Sequence, residues 1–344
     1  MIKMTLFRKE DEQALIRQLY IEPTSRCNLS CKMCFRHSWI DEKMGDMSEE
    51  VFKSVLSYIK AYKPETVFFG GMGEPLIHSD ICGYIKRIKP YVKNIELITN
   101  ASLLTADMSE RLISAGLDTL WISMDGFDRE EYEKIRLGGR FQKITENIKE
   151  FNRMRKDKGV KLGITFVVME ENVENLEKID GFADEYSVDI LNISHAIPGE
   201  ENEGARDFYE SFIPVGKMRR FSEGVFSDKK DFCPFVEEGM CFVKWNGEVV
   251  PCMQVLHSCT TFMFSVKREV YCHSFGNVTG ASLYDIYRSD EYKNFRNTVL
   301  NFDFPSCTVC EGCEMRESNI EDCMYNEKPT CGACLWSTGK IRCP

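Results

Sequence analysis

The stretch LYIEPTSRCNLSCKMC, residues 19–34, decides how this chain is read. LYIEPT is a short apolar run that predicts a buried strand ending at Thr24. Directly behind it, Cys27, Cys31 and Cys34 form a C-x3-C-x2-C set in a loop. Barrel folds place their chemistry in the loops at the C-terminal ends of their strands, so spacing and position agree. A tetrahedral zinc, or a cluster held wholly by protein, asks for four ligands, and no fourth cysteine lies nearby. Three thiolates on a cubane leave one iron open to a small molecule.

Downstream the same rhythm repeats. TVFFGG (66–71), NIELITN (94–100), TLWISMDG (119–126), LGITFVVM (162–169) and DILNISHAI (189–197) read as five further strands. Between the first two strands, SEEVFKSVLSYIKAY (48–62) places Val51, Phe52, Val55, Leu56 and Ile59 on one helical face, with Ser48 as N-cap and two glutamates in the first turn. Helical patterns also cover 79–89, 105–115, 141–156 and 171–186. This alternation predicts an α/β fold, a partial (β/α)6 TIM-like barrel over residues 1–205, ending near the acidic, turn-rich PGEENEG (198–204). A connecting segment, 206–232, leads to a small cysteine-rich domain over 233–344. There FVKWNGEVVPC carries a hairpin signal at Asn246-Gly247, and a helical stretch runs from Ser282 to about Leu300.

Composition limits the classes. The 344 residues exceed what one hydrophobic core usually organises, and 43% hydrophobic with 28% charged residues is globular composition. A formal charge of -10 lacks the general attraction to phosphate backbones, so no nucleic-acid partner is expected. No stretch approaches the ~18 apolar residues of a membrane span, and MIKMTLFRKEDEQ meets charge too early for a signal peptide; no membrane association and a cytoplasmic location are expected.

In a reducing compartment sixteen cysteines are hard to assign to disulfides. Three lie at 27–34, one at 82, none from 83 to 232, and twelve between 233 and 343. Cys82, on the apolar face of ICGYIKRI, reads as core, and His78 and His195 as hydrogen-bonded structural histidines. The other twelve, Cys233, Cys241, Cys252, Cys259, Cys272, Cys307, Cys310, Cys313, Cys323, Cys331, Cys334 and Cys343, exceed any single site. Two 4Fe-4S clusters need eight thiolates. The pairs Cys307-x2-Cys310 and Cys331-x2-Cys334, twenty residues apart, also have zinc-ribbon spacing, which keeps a zinc-ribbon binding module open as a non-enzyme alternative. Bound metal would supply much of the folding free energy of so cysteine-dense a tail.

With its C-x3-C-x2-C loop, the first domain resembles the radical S-adenosylmethionine (SAM) enzymes. The resemblance implies that Cys27, Cys31 and Cys34 bind three irons of a 4Fe-4S cluster, while SAM chelates the fourth. One departure is Met33 before the last cysteine, where the family usually has an aromatic residue. GGMGEPL (70–76) is similar to the family's GGEP element, implying that Gly71, Gly73 and Glu74 contact the cofactor, with Glu74 on the methionyl ammonium. ISMDGFDREEYEKIR (122–136) is similar to its xSxDG stretch, implying that Ser123 and Asp125 meet the ribose or a substrate and Arg136 the methionyl carboxylate. ITNASLL (98–104) is similar to a TNG element and brings Asn100 to the same mouth.

A second resemblance covers the tail. The Gly247-x4-Cys252 element, FGNVTGASLYDIYRSDEYKNFR (275–296) and the following cysteine pair are similar to the SPASM domain, which carries auxiliary 4Fe-4S clusters. The usual C-x2-C-x5-C-x3-C reads here as C-x2-C-x2-C-x9-C. By analogy one auxiliary cluster takes Cys233, Cys241, Cys252 and Cys323, the other Cys307, Cys310, Cys313 and Cys343, with Cys331 and Cys334 competing for the last places. Cys259 and Cys272 are left as spare thiols.

Both resemblances imply a radical enzyme that cleaves SAM reductively to a 5'-deoxyadenosyl radical, fed by a ferredoxin or flavodoxin, and that modifies or matures a protein or cofactor. CKMCFRHSW (31–39) and DCMYNEKPTCGACLWSTGKIRCP (322–344) are similar to maturases associated with tungsten-containing aldehyde ferredoxin oxidoreductases, implying such an enzyme as client. The alternatives are a sulfatase-type or peptide-crosslinking maturase, or a small-molecule radical dehydrogenase.

Overall fold

The computed structural model describes residues 15–196, 233–263 and 266–301, together with residues 331, 334 and 336. All six expected strands are present: β1 (Gln18–Ile21), β2 (Thr66–Phe69), β3 (Asn94–Thr99), β4 (Thr119–Ser123), β5 (Lys161–Val168) and β6 (Ile190–His195). Each pairs in parallel with its sequence neighbour. The helices between them are α1 (Glu49–Tyr62), α2 (Ile81–Ile88), α3 (Ala106–Ala115), α4 (Arg129–Ile135), α5 (Phe141–Arg155) and α6 (Ile179–Glu185). Ser48 caps α1 through its hydroxyl, which accepts from the Val51 N–H at 3.2 Å, and Lys63 ends the helix in the left-handed region. The helical pattern at 171–186 is split, with a 3-10 stretch at Val173–Lys178 before α6.

The strand after the connecting segment joins the sheet of the first part. β7 (Met240–Val243) pairs in parallel with β1, Gln18 opposite Met240 and Ile21 opposite Val243. β8 (Val249–Val250) returns antiparallel after the turn at Gly247, whose φ is +90°. The sheet order is β6-β5-β4-β3-β2-β1-β7-β8, so the cysteine-rich part contributes its first hairpin to the barrel's own sheet. The segment 206–232 lies outside the described residues. After a one-turn helix, α7 (Pro234–Glu237), and this hairpin come the antiparallel pair β9 (Cys259–Met263) and β10 (Val266–Val270), then α8 (Leu283–Tyr287) and α9 (Asp290–Leu300).

Side-chain alternation gives the sheet two faces. Leu19, Ile21, Val67, Phe69, Leu120, Ile122, Cys241 and Val243 join the helix-side core. Tyr20, Phe68, Trp121, Met240 and Phe242 form a second, mostly aromatic layer on the opposite face. The Tyr20 ring stacks on Phe242 with centroids 4.4 Å apart and tilts against Phe68 at 4.8 Å. Among the described residues no helix is long and apolar enough to cross a membrane.

Candidate active site

The loops after β1 to β4 meet at the C-terminal mouth of the sheet, and hydrogen bonds lace them together. The cysteine loop is anchored at its start by the Thr24 hydroxyl donating to Asp46 Oδ1 at 2.6 Å, and by Ser25 N–H donating to the Gly45 carbonyl at 3.0 Å. Its middle runs against the segment after α4, with Ser30 N–H donating to the Leu137 carbonyl and Lys32 N–H to the Ile135 carbonyl, both at 3.0 Å. Cys27, Cys31 and Cys34 are half-buried free thiols. Leu29 N–H points at Cys27 Sγ from 3.5 Å and Asn100 Nδ2 from 3.7 Å, while Arg136 Nη1 lies 4.0 Å from Cys31 Sγ. Burial pushes the Cys31 thiol up to about 11 against the pull of Arg136, so a metal would have to displace its proton.

This donor set fits a cubane. It offers three thiols, with N–H groups aimed at the sulfurs of Cys27 and Cys31, and Arg136 Nε is a buried donor with no hydrogen-bond partner among the described residues. No group of three His, Cys, Asp or Glu side chains there is arranged around one metal ion, whereas a cubane spreads its ligands over separate irons.

The glycine loop fits tightly against the exit of β1. A Cβ on Gly71 would lie 2.7 Å from Glu22, and one on Gly73 2.1 Å from the Thr24 carbonyl oxygen, so both glycines are needed for the loops to pack. Glu74 has a structural part beside the cofactor contact expected of it. Its carboxylate is 2% exposed and accepts from Thr99 Oγ1 at 2.6 Å, Asn100 N–H at 2.7 Å and Leu76 N–H at 3.0 Å. Those donors tie the glycine loop to the end of β3, two of them on Oε1 and one on Oε2, so Oε2 keeps a lone pair. Asn100 completes the tie, donating to Asn28 Oδ1 at 3.1 Å and accepting from Ser102.

Asp125 is engaged in the same way. It is wholly buried, its Oδ1 accepts the Val167 N–H at 2.8 Å, and its Oδ2 pairs with Arg136 Nη2 at 2.6 Å. The side chain thus aims Arg136 toward the cysteine loop. Ser123 ends β4 half-buried at the same mouth.

Of the cysteines expected to hold auxiliary clusters, Cys233, Cys241, Cys252, Cys331 and Cys334 lie among the described residues. Cys233, Cys252 and Cys334 come together, close enough for a charge on one to raise the thiols of the others, beside the aromatic layer and Trp336. Cys331 packs with Cys233 around Val236 and Val299. Cys241 is not with them. It is fully buried on the helix side of β7, near Tyr58 and Tyr292, because its neighbours Met240 and Phe242 take the opposite face. Burial pushes the Cys241 thiol up to about 12, as expected of a core cysteine. Replacing Cys241 by Ala is therefore expected to leave reconstituted iron unchanged, whereas Cys252→Ala removes iron; equal losses from both would put Cys241 back among the ligands. Cys307, Cys310, Cys313, Cys323 and Cys343 lie outside the described residues.

Cys82 is core, His78 Nε2 is 3.1 Å from the Met47 carbonyl, and His195 is buried at the end of β6. Sequence reasoning missed one cluster: Glu22, Glu42, Lys244 and His257, gathered beside the glycine loop. None belongs to a recognisable motif. The only signal was a carboxylate, Glu22, immediately after an apolar strand.

Two family models match the chain: "Radical SAM superfamily" over residues 21–183 and SPASM, "Iron-sulfur cluster-binding domain", over 233–314. The chain is 32% identical, over 96% of its length and 97% of the relative's, to the tungsten-containing aldehyde ferredoxin oxidoreductase cofactor-modifying protein of Pyrococcus furiosus. It is 30% identical to a probable GTP 3',8-cyclase of Pyrococcus horikoshii over 58% of this chain and 62% of that one. Among solved structures, native anSMEcpe with bound AdoMet superposes with a TM-score of 0.61 at 18% identity, covering 94% of this chain and 96% of the other. Streptococcus suis SuiB bound to its precursor peptide SuiA also gives 0.61 at 18%, covering 90% and 72%. Identities that low speak for the fold alone.

Proposed function

The chain belongs to the radical SAM superfamily and carries a SPASM domain, and from that premise we propose that it modifies the cofactor of a tungsten-containing aldehyde ferredoxin oxidoreductase-type enzyme, its client. That it is a radical SAM enzyme of the maturase type, using 4Fe-4S clusters and SAM, follows from the family. The observation that carries the choice of client is the end-to-end match, 32% over 96% of the chain, to a relative named for that modification. The SPASM match likewise favours iron-sulfur clusters over a zinc ribbon.

When bound, the cluster and SAM supply a 5'-deoxyadenosyl radical that abstracts hydrogen from the substrate. The protein's part is holding and aiming. Cys27, Cys31 and Cys34 would hold three irons, with the Leu29 N–H and Asn100 Nδ2 directed at sulfur. Arg136, aimed by Asp125, sets a positive charge beside Cys31, which suits a methionyl carboxylate. Glu74 acts through the loops it joins, holding the glycine-loop backbone where a cofactor amino group can reach it. Cys233, Cys252 and Cys334 would serve an auxiliary cluster, with a fourth ligand from the tail. A ferredoxin or flavodoxin suits the strongly negative potential such chemistry needs.

Deleting the gene tests the client. The aldehyde ferredoxin oxidoreductase-type enzyme should still be produced but be inactive, and tagged full-length protein should capture its precursor. A fully active client in the deletion strain would end this reading in favour of a peptide maturase.

A further inference from the structure

His257 comes from the turn before β9, yet its ring sits among groups from the barrel mouth, 2% exposed. Its Nε2 lies 2.9 Å and 3.0 Å from the two Glu22 oxygens, and its Nδ1 3.0 Å from Glu42 Oε2. Trp39 stacks on the ring at 4.5 Å. Glu22 follows β1 directly and also accepts the Met72 N–H of the glycine loop at 3.0 Å. Glu42 lies beyond the last cysteine of the triplet and also accepts the Ser258 N–H at 2.7 Å. Ile40 N–H donates to the Ser258 carbonyl at 2.9 Å, and Trp39 bridges Cys259 as in an antiparallel sheet. One side chain of the auxiliary part therefore holds both ends of the cysteine loop, and through Glu22 the glycine loop as well.

The contacts dictate a protonation state. Carboxylates only accept hydrogen bonds, so each ring nitrogen facing one must carry a hydrogen, and a neutral imidazole has only one to give. Three carboxylates and one ammonium face this pocket: Glu22, Glu42, Glu248 and Lys244, whose Nζ is 3.5 Å from Glu42, 2.9 Å from Glu248 and 3.5 Å from Cys272 Sγ. A neutral ring would leave two net negative charges on this group, of whose carboxylates Glu22 and Glu42 are the more deeply placed and Glu248 is 33% exposed.

We propose that His257, as an imidazolium, is a positioning residue for SAM binding, clasping the cysteine and glycine loops in the arrangement the cofactor needs. Burial alone would make the ring lose its proton more easily, but the Glu22 and Glu42 carboxylates outweigh it and hold the proton above the ordinary 6.5. The same contacts hold the Glu42 carboxyl down to about 2 although burial opposes them. The clasp is accordingly closed below the raised value and opens as pH rises past it.

The inference rests on the radical SAM reading for its affinity arm only, and its exchange arm needs neither cofactor nor client. Full-length protein, reconstituted anaerobically, is titrated with SAM by calorimetry between pH 7 and pH 9.5. Amide exchange of residues 35–42 and 256–259 is followed over the same range, corrected for the intrinsic rise with pH. The cofactor's own amino group titrates near ~8 in every variant, so the comparison between proteins carries the test. Wild type should lose about tenfold more affinity than Glu42→Gln as pH rises, since loss of a charge-assisted bond is of that size. In Glu42→Gln the amide can donate to a neutral ring, so closure no longer requires the second proton. His257→Gln should bind SAM about tenfold more weakly already at pH 7, with unchanged iron. Protection of 35–42 should fall at high pH in wild type and persist in Glu42→Gln. Parallel affinity profiles for wild type and Glu42→Gln, or wild-type protection that ignores pH, would overturn the proposal. The wild-type exchange profile decides even if the variants fail to fold.

Discussion

Replacing Cys27, Cys31 and Cys34 together by Ala is expected to lower reconstituted iron from about 12 to about 8 per chain, if three 4Fe-4S clusters are present, and to abolish reductive cleavage of SAM. The expectation follows from the geometry of the mouth. The triplet's loop is fastened by backbone bonds to Gly45, Ile135 and Leu137, so it keeps its course without a metal. The auxiliary group of Cys233, Cys252 and Cys334 lies apart, beside the aromatic layer. Iron analysis and chromatographic detection of 5'-deoxyadenosine read the two effects separately. Iron falling to zero would mean that the parts fold as one metal-dependent unit. The shared β1–β7 pairing makes that outcome worth testing. Persistent 5'-deoxyadenosine would move the radical chemistry away from this loop.

Asp125→Ala should be the most destabilising single change at the mouth. It strips Arg136 of a partner at 2.6 Å in a pair whose side chains are 9% and 0% exposed, and it leaves the Val167 N–H without its acceptor. Breaking a buried pair from one side costs about 3 to 5 kcal/mol, which at this chain length lowers the unfolding temperature by on the order of 10 °C. Removing both charges in Asp125→Ala/Arg136→Met should recover much of that stability, because the cost is an orphaned guanidinium rather than a lost bond. It should not recover SAM affinity, since Arg136 is the cation beside Cys31. Thermal unfolding of the single and double variants checks the first part. A single variant as stable as wild type would show that Arg136 reaches solvent when released.

The order of six strands and their helices was legible because it is written in local periods: alternation along a strand, three to four along a helix, Ser48 capping α1. The cysteine loop was legible for the same reason, its three thiols lying within a few positions behind a strand end. Other features turned on which distant segments became neighbours. Cys241 and Cys252 look equivalent in sequence, but β7 pairs with β1 in a register that sends Cys241 into the helix-side core. Glu74 and Asp125 stand in recognisable motifs, but their partners on β3, β5 and the segment after α4 are set by packing. Glu22 and His257 stand 235 positions apart, and nothing in either neighbourhood announces the other. Backbone propensity and hydrophobic period act within a few residues, so they settle which elements form. Ion pairs and hydrogen bonds act only across the contacts those elements make once packed, so the tertiary structure alone decided which distant groups the carboxylates at the mouth meet.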